Sequence, residues 1–176
     1  YYFRQWRDLD WFKKMNAELV VQTREAAGRN ANPSAALLDS QSVKTTRQGG
    51  IRGYDAGKKV NGRKRHILTD TNGLLLHLKV HAANVQDRDG AKLLLDEIKD
   101  QRPRLQLIWA DGGYRGKLIE WVAVTCLWLL VIVKRNDDAK GFQVLPRRWV
   151  VERTFAWLSA RRLLSKDYEY LPESSE

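Results

Sequence analysis

Three acidic residues and one arginine carry the chemistry this sequence could perform. Asp111 ends the apolar run Leu105 to Ala110 and is followed by Gly112 and Gly113, so a strand delivers a carboxylate onto a turn made easy by two residues without a Cβ. An acid buried mid-strand is costly; at a strand's C-terminal end it can reach solvent, a metal or a substrate. Asp39 stands in a second strand-like stretch, AALLDSQSV, after Ala36, Leu37 and Leu38. Glu152 falls in RRWVVERTFAWLSARR, where Val151, Phe155, Leu158 and Arg162 mark one side of a helix. Arg148, one turn before Glu152, and Ser159, about two turns after it, share roughly its face. If the three acids met about 4 Å apart, each pair would repel by about 4 kcal/mol at an effective dielectric near 20, so such a cluster needs cations. An all-carboxylate set suits magnesium, and two ions about 3.5–4 Å apart can activate a nucleophile and stabilise a leaving 3′ oxygen in phosphodiester chemistry. The residues alone leave a second reading open: a turn, a cap and a helix-surface pair of Glu152 with Arg148 or Arg153, sharing no site.

The elements that would position these residues follow from periodicity. Tyr1 to Ala27 places Phe3, Trp6, Leu9, Phe12, Met15, Leu19 and Val20 at three-to-four spacing, one or two amphipathic helices. GRNANPS, Gly28 to Ser34, breaks the helix before the Asp39 strand. HILTDTNGLLLHLKVHA reads as two strands joined at Asn72-Gly73, which predicts an antiparallel meander of three strands. Asp87 or Asp89 is an N-cap for the helix marked by Leu94, Leu95 and Ile98. After the Asp111 strand come a helix from about Lys117 to Val124, a buried strand WLLVIVKR, a polar loop Asn136 to Gly141, and Pro146 as starter of the Glu152 helix.

Composition narrows the partners. With 176 residues, 43% hydrophobic content and 7 Trp, the chain suits one domain with a real core rather than disorder. Against 21 acids stand 31 Lys+Arg, a formal +10, which favours a polyanion, and nucleic acid over membrane. The most apolar stretch, Trp121 to Val133, falls short of the roughly 20 residues a membrane span needs. A single cysteine, Cys126, excludes disulfides within the chain and reads as a small core residue in a reducing compartment. Much of the positive charge lies between Lys44 and Arg65, where Lys44, Arg47, Arg52, Lys58, Lys59, Arg63, Lys64 and Arg65 alternate with glycines. That stretch is either a solvated hairpin loop or a flexible arm contacting DNA phosphates. His66, His77 and His81 read as structural residues, none a metal ligand. The start at Tyr1, with neither methionine nor signal peptide, suggests a piece of a longer protein.

Six passages together resemble the transposases of the insertion-sequence-five family: PSAALLDSQSVKTT, GGIRGYDAGKKVNGRKRHILTDTNGLLL, ANVQDRDGAKLLL, LIWADGGYRGKLIEWV, IVKRNDDAKGFQVLPRRWVVERTFAWL and LLSKDYEYLPESSE. They run in the family order over nearly all of the chain from Pro33. The resemblance implies an α/β, ribonuclease-H-like domain: a mixed sheet, antiparallel over its first three strands and parallel later, with helices on both faces. It implies Asp39, Asp111 and Glu152 as a DDE triad holding two magnesium ions, manganese being an alternative. Related transposases carry Tyr-x2-Arg-x3-Glu-x6-Lys on the Glu helix. Here Arg148 and Glu152 fit, with Arg148 steadying Glu152 or a phosphate, while Leu145 and Ser159 stand in place of the Tyr and Lys. The implied activity is cleavage of DNA at the ends of an insertion sequence and strand transfer into target DNA, by a homodimer in a bacterial cytoplasm at the nucleoid. A non-catalytic DNA-binding remnant and a metal-dependent nuclease without strand transfer are the competing readings. The resemblance further divides the chain into a helical lead-in, residues 1–32, left from an upstream DNA-binding region, and a catalytic domain, residues 33–176, lacking its C-terminal helix. VAVTCLWL, Val122 to Leu129, is more apolar than the helix end expected before the last strand.

Overall fold

The computed structural model describes residues 2–47, 50–133 and 147–176. Its centre is β1, Ala35–Lys44, which carries Asp39. β1 pairs antiparallel with β3, Val60–Asp70, in a register that sets Asp39 opposite Ile67, and parallel with β5, Leu107–Ala110, with Leu37 beside Trp109. β5 in turn pairs parallel with β6, Leu129–Ile132. On its other side β3 meets β4, Leu75–Ala82, and the short β2, Gly53–Asp55, both antiparallel. The result is a mixed sheet of ribonuclease-H-like type, antiparallel on one side of β1 and parallel on the other. The β3–β4 hairpin turns at Asn72-Gly73 as expected, with Gly73 at φ +88° and the Asp70 carboxylate accepting the backbone N–H of Asn72 and Leu74.

Alternation along the strands divides two apolar layers. Ala36, Leu38, Leu68, Ile108 and Ala110 face one layer, covered by α3, Asp87–Ile98, through Leu94, Leu95 and Ile98, and by α4, Lys117–Thr125, through Leu118 and Val122. Leu37, Ile67 and Trp109 face the other, covered by α5, Arg148–Ala160, through Val150, Val151 and Phe155. Cys126 is buried in the first layer. Helices α1, Tyr2–Asp8, and α2, Trp11–Ala26, lead into β1; α2 docks on the hairpin side through buried Val20 and an Arg24–Asp70 ion pair. Among the described residues, no helix is long and apolar enough to cross a membrane.

The structure corrects several sequence expectations. The stretch from Lys44 to Arg65 is not one loop: it contains β2, and β3 begins at Val60. The strand expected from WLLVIVKR is a short one in which Leu129 is exposed and Leu130 buried, because β5 is its one pairing neighbour among the described residues. Neither Asp87 nor Asp89 is the N-cap of α3; Gln86 holds that position without a side-chain bond, and the Asp87 carboxylate turns to Ser40 and Lys64 instead. On α5 the buried stripe runs through Val150, Val151, Thr154 and Phe155, and Arg162 lies exposed past the helix end. The expected loop Asn136 to Gly141, Leu145 and Pro146 lie outside the described residues.

Candidate active site

Asp39 sits in mid-β1, where the strand passes the end of its shorter parallel neighbour β5, and Asp111 directly follows β5. Both therefore come to the same sheet edge. Asp111 then folds back on its turn: Oδ1 accepts the Gly113 N–H at 2.7 Å. A Cβ on Gly113 would stand 3.0 Å from that same oxygen, so the second glycine makes room for the acid. Asp39 Oδ1 likewise accepts the Ser40 N–H at 2.7 Å. Each aspartate thus commits one oxygen to backbone and keeps Oδ2 for the site.

Glu152 and Arg148 arrive on α5, which is fastened at several points. The Arg147 guanidinium lies 4.1 Å over the Trp109 ring of β5. Arg153 donates to Asn72 O at 2.8 Å and Thr154 Oγ1 to Gly73 O at 3.2 Å, tying the helix to the β3–β4 turn. The outcome is a convergence on one atom. Arg148 Nη2 stands 3.7 Å from Asp39 Oδ2, 3.7 Å from Asp111 Oδ2 and 3.5 Å from Glu152 Oε1. The three acids thus come together around one side chain rather than lying apart on the fold. Ser159, farther along α5, accepts a bond from Gln41 Nε2 at 2.8 Å, so the neutral residue there faces β1.

Burial dominates the electrostatics at Asp39. Burial, with the Asp111 carboxylate adding to it, pushes the Asp39 carboxyl up to about 6, against the opposing pull of the Ser40 N–H, Arg148 and Lys58. As they stand, the described residues include no group of three or more His, Cys, Asp or Glu side chains that could hold a metal ion. In chemical type the donors are nevertheless those a hard divalent cation takes, three carboxylates each with an oxygen within 3.7 Å of the same Arg148 nitrogen.

Beneath the triad runs a polar network that the sequence did not reveal. Ser40 Oγ donates to Asp87 Oδ1 at 3.0 Å, Lys64 Nζ lies 2.9 Å from that oxygen and 3.4 Å from Asp55 Oδ2, and Lys58 Nζ donates to Ser40 O at 3.0 Å. Although burial opposes it, the Ser42 hydroxyl, the Lys58 N–H and Lys64 hold the Asp55 carboxyl down to about 2. Lys64 and Ser40 similarly hold Asp87 below its ordinary value against burial. This network braces the residue after Asp39. An acid in the first turn of a helix reads as a cap, and no local pattern distinguishes one that instead pairs with a strand lysine.

The expected phosphate-contacting residues divide. Lys44, Arg47, Arg52 and Lys59 are exposed. Lys58 is exposed too, but its ammonium is held by Ser40. Arg63, Lys64 and Arg65 are corrected: all three are buried in β3 and spend their donors internally. Arg63 pairs with Asp167 at 3.0 Å and donates to Ile51 O, Glu169 O and Tyr170 O; Arg65 donates to Leu164 O and Lys166 O. Lys64 adds Val85 O to its two carboxylates. These cations clamp the C-terminal segment and the network to the sheet and lie buried, away from the exposed surface.

One acid thus lies on the central strand, a second just after its parallel neighbour and a third on a covering helix. The model of the transposase DDE domain matches residues 30–174, and this chain belongs to that family. One similar protein is a Burkholderia cepacia protein assigned as the transposase for insertion sequence element IS402: it is 36% identical over 117 residues, 61% of this chain and 54% of that protein. The chain thus spans about half the length of the curated relative it matches.

Proposed function

We propose that this chain is the catalytic part of an insertion-sequence transposase, which cuts DNA at the ends of its mobile element and joins the freed 3′ ends to target DNA. The observation that carries this reading is the meeting of Asp39, Asp111 and Glu152 around a single nitrogen of Arg148. In this reading the three acids hold two magnesium ions, with manganese as a substitute. Bound there, such ions supply Lewis-acid activation of the attacking oxygen and stabilisation of the leaving one. The chain's own residues do the rest. Asp39 and Asp111, each pinned by a backbone N–H, keep one oxygen aimed at the site. Glu152, the most exposed of the three, closes it from α5. Arg148, free to reach outward from the first turn of α5, positions the scissile phosphate.

The catalytic domain in this reading is residues 33–176, preceded by the helical lead-in 1–32, and the family match beginning at residue 30 supports that division. The DNA partner is supported by the formal charge of +10. The working form is a homodimer, one copy at each end of the mobile element, at the bacterial nucleoid; sedimentation on duplexes bearing those ends reads its stoichiometry.

Nicking of a plasmid carrying the element's ends, with magnesium or manganese, tests the reading. Asp111→Asn or Glu152→Gln loses nicking and keeps duplex affinity, because most of that affinity comes from phosphate contacts elsewhere. Near-normal nicking by either variant overturns the catalytic assignment. Equal duplex binding with no metal-dependent nicking even by the unaltered chain points to a DNA-binding remnant instead.

A further inference from the structure

We propose that Arg148 is a built-in counter-ion that stands in the cation position between the triad carboxylates and leaves it for a DNA phosphate, so that cation entry and DNA arrival favour each other. The inference rests on the reading of Asp39, Asp111 and Glu152 as cation ligands and adds a gate to it.

The contact geometry is that of a place-holder rather than a committed partner. The three N···O separations, 3.7, 3.7 and 3.5 Å, all exceed the roughly 2.7–2.9 Å of a charge-assisted hydrogen bond, and all involve the same nitrogen, Nη2. Arginine prefers a planar, two-pronged match to one carboxylate or phosphate. Among the described residues it has none; it shares one charge loosely among three carboxylate oxygens. A phosphate offers the two-pronged match. A divalent cation offers the three oxygens twice the charge. Both partners therefore improve when the guanidinium moves outward.

The fold permits that motion. Arg148 is the first residue of α5, and the helix is held by other residues: Arg147 on Trp109, Arg153 and Thr154 on the β3–β4 turn, and Val150, Val151 and Phe155 in the core. The side chain can swing without moving Glu152. Without DNA the guanidinium offsets the mutual repulsion of the acids and keeps them gathered, and it also competes with any ion seeking the same oxygens. By linkage, whatever draws the guanidinium away raises affinity for the cation, and the cation raises affinity for that ligand by the same factor.

Manganese binding followed by electron paramagnetic resonance, on the whole chain without DNA, tests this independently of catalysis. Arg148→Gln, which removes the charge and keeps a polar side chain, binds Mn2+ about tenfold more tightly than the unaltered chain, since a competing unit charge is removed from within a few ångströms of the ion. Arg148→Lys, charged but shorter, falls between them, and its tighter binding than the unaltered chain remains to be read even if the Gln variant folds poorly. Affinities within about twofold across the three chains overturn the gate while leaving the triad reading intact. If Asp39→Asn fails to weaken Mn2+ binding in the Arg148→Gln chain, the triad reading itself fails, and the gate with it.

Discussion

Arg63 and Lys59 show why a residue's type says less than its surroundings. Both stand in the same glycine-punctuated basic stretch, yet Arg63 is fully buried beside Asp167 while Lys59 is exposed. Arg63→Ala leaves Asp167 as an uncompensated buried charge and strips donors from Ile51 O, Glu169 O and Tyr170 O, a loss of about 3–5 kcal/mol. Lys59→Ala stays within about 0.5 kcal/mol of the unaltered chain. Urea melts of both variants check the contrast; an Arg63→Ala chain as stable as the parent counts against the clamp. The sequence could not show it, because Asp167 lies a hundred positions downstream and local composition reports charge, not burial. The meeting of Asp39, Asp111 and Glu152 was more legible. Each acid ends or follows an apolar run, a local feature, although the passages matching a known family were needed to group the three. Asp87 misleads because a first-turn aspartate looks the same whether it caps a helix or pairs with Lys64.

At the scale of elements, α3 lies so close to the β3–β4 pair that its contact residue must be glycine. A Cβ on Gly90 would stand 2.3 Å from His81 Nε2 and 2.4 Å from His66 Cε1. Beneath it, His81 Nδ1 lies 2.9 Å from Ala82 O and so carries the proton, leaving Nε2 to accept from His66 Nδ1 at 2.8 Å. Gly90→Ala lowers stability by about 1–3 kcal/mol through overpacking, more than the helix gains from alanine, and a thermal melt reads it. The same layer sets a pH dependence. Burial holds His66, His77 and His81 below their ordinary values, with His81 adding to the effect on His66. Below about pH 6.5 the unfolded chain takes up protons the folded one refuses, so stability falls as pH falls. Asp39, raised to about 6, acts in the opposite sense, being one group against three. The urea midpoint is therefore lower at pH 5 than at pH 7, and an unchanged midpoint sinks the claim of buried neutral histidines. Periodicity and turn chemistry are enough to find β1, β4, the Asn72-Gly73 turn and the helices α3, α4 and α5. They miss the start of β3 because Arg63, Lys64 and Arg65 carry no apolar alternation; their burial depends on partners from β2, α3 and the C-terminal segment.

The whole molecule carries a formal +10, but the exposed charge in its basic stretch, which the proposed function would turn toward DNA, is a smaller set than the sequence suggested. Three of the eight basic residues between Lys44 and Arg65 are turned inward, and a fourth, Lys58, is held by Ser40. Lys44, Arg47, Arg52 and Lys59 remain as exposed cations. Binding through such residues releases counter-ions from the duplex, so log affinity falls with log salt at about 0.9 per neutralised phosphate, with no dependence on base sequence. Replacing these four together with glutamine lowers the salt slope by about 0.9 for each phosphate left without its cation and weakens specific and scrambled duplexes alike. Neutralising Lys58 alone has a mixed outcome, because its ammonium also braces the Ser40 carbonyl beside Asp39. The control is Lys64→Gln, whose buried ammonium faces Asp87 and Asp55: it costs stability and leaves the salt slope where it was. A fluorescence titration of both duplexes across a salt series measures the parent, the fourfold variant and the control. If the fourfold variant keeps the parent's slope, the exposed set does not touch the backbone.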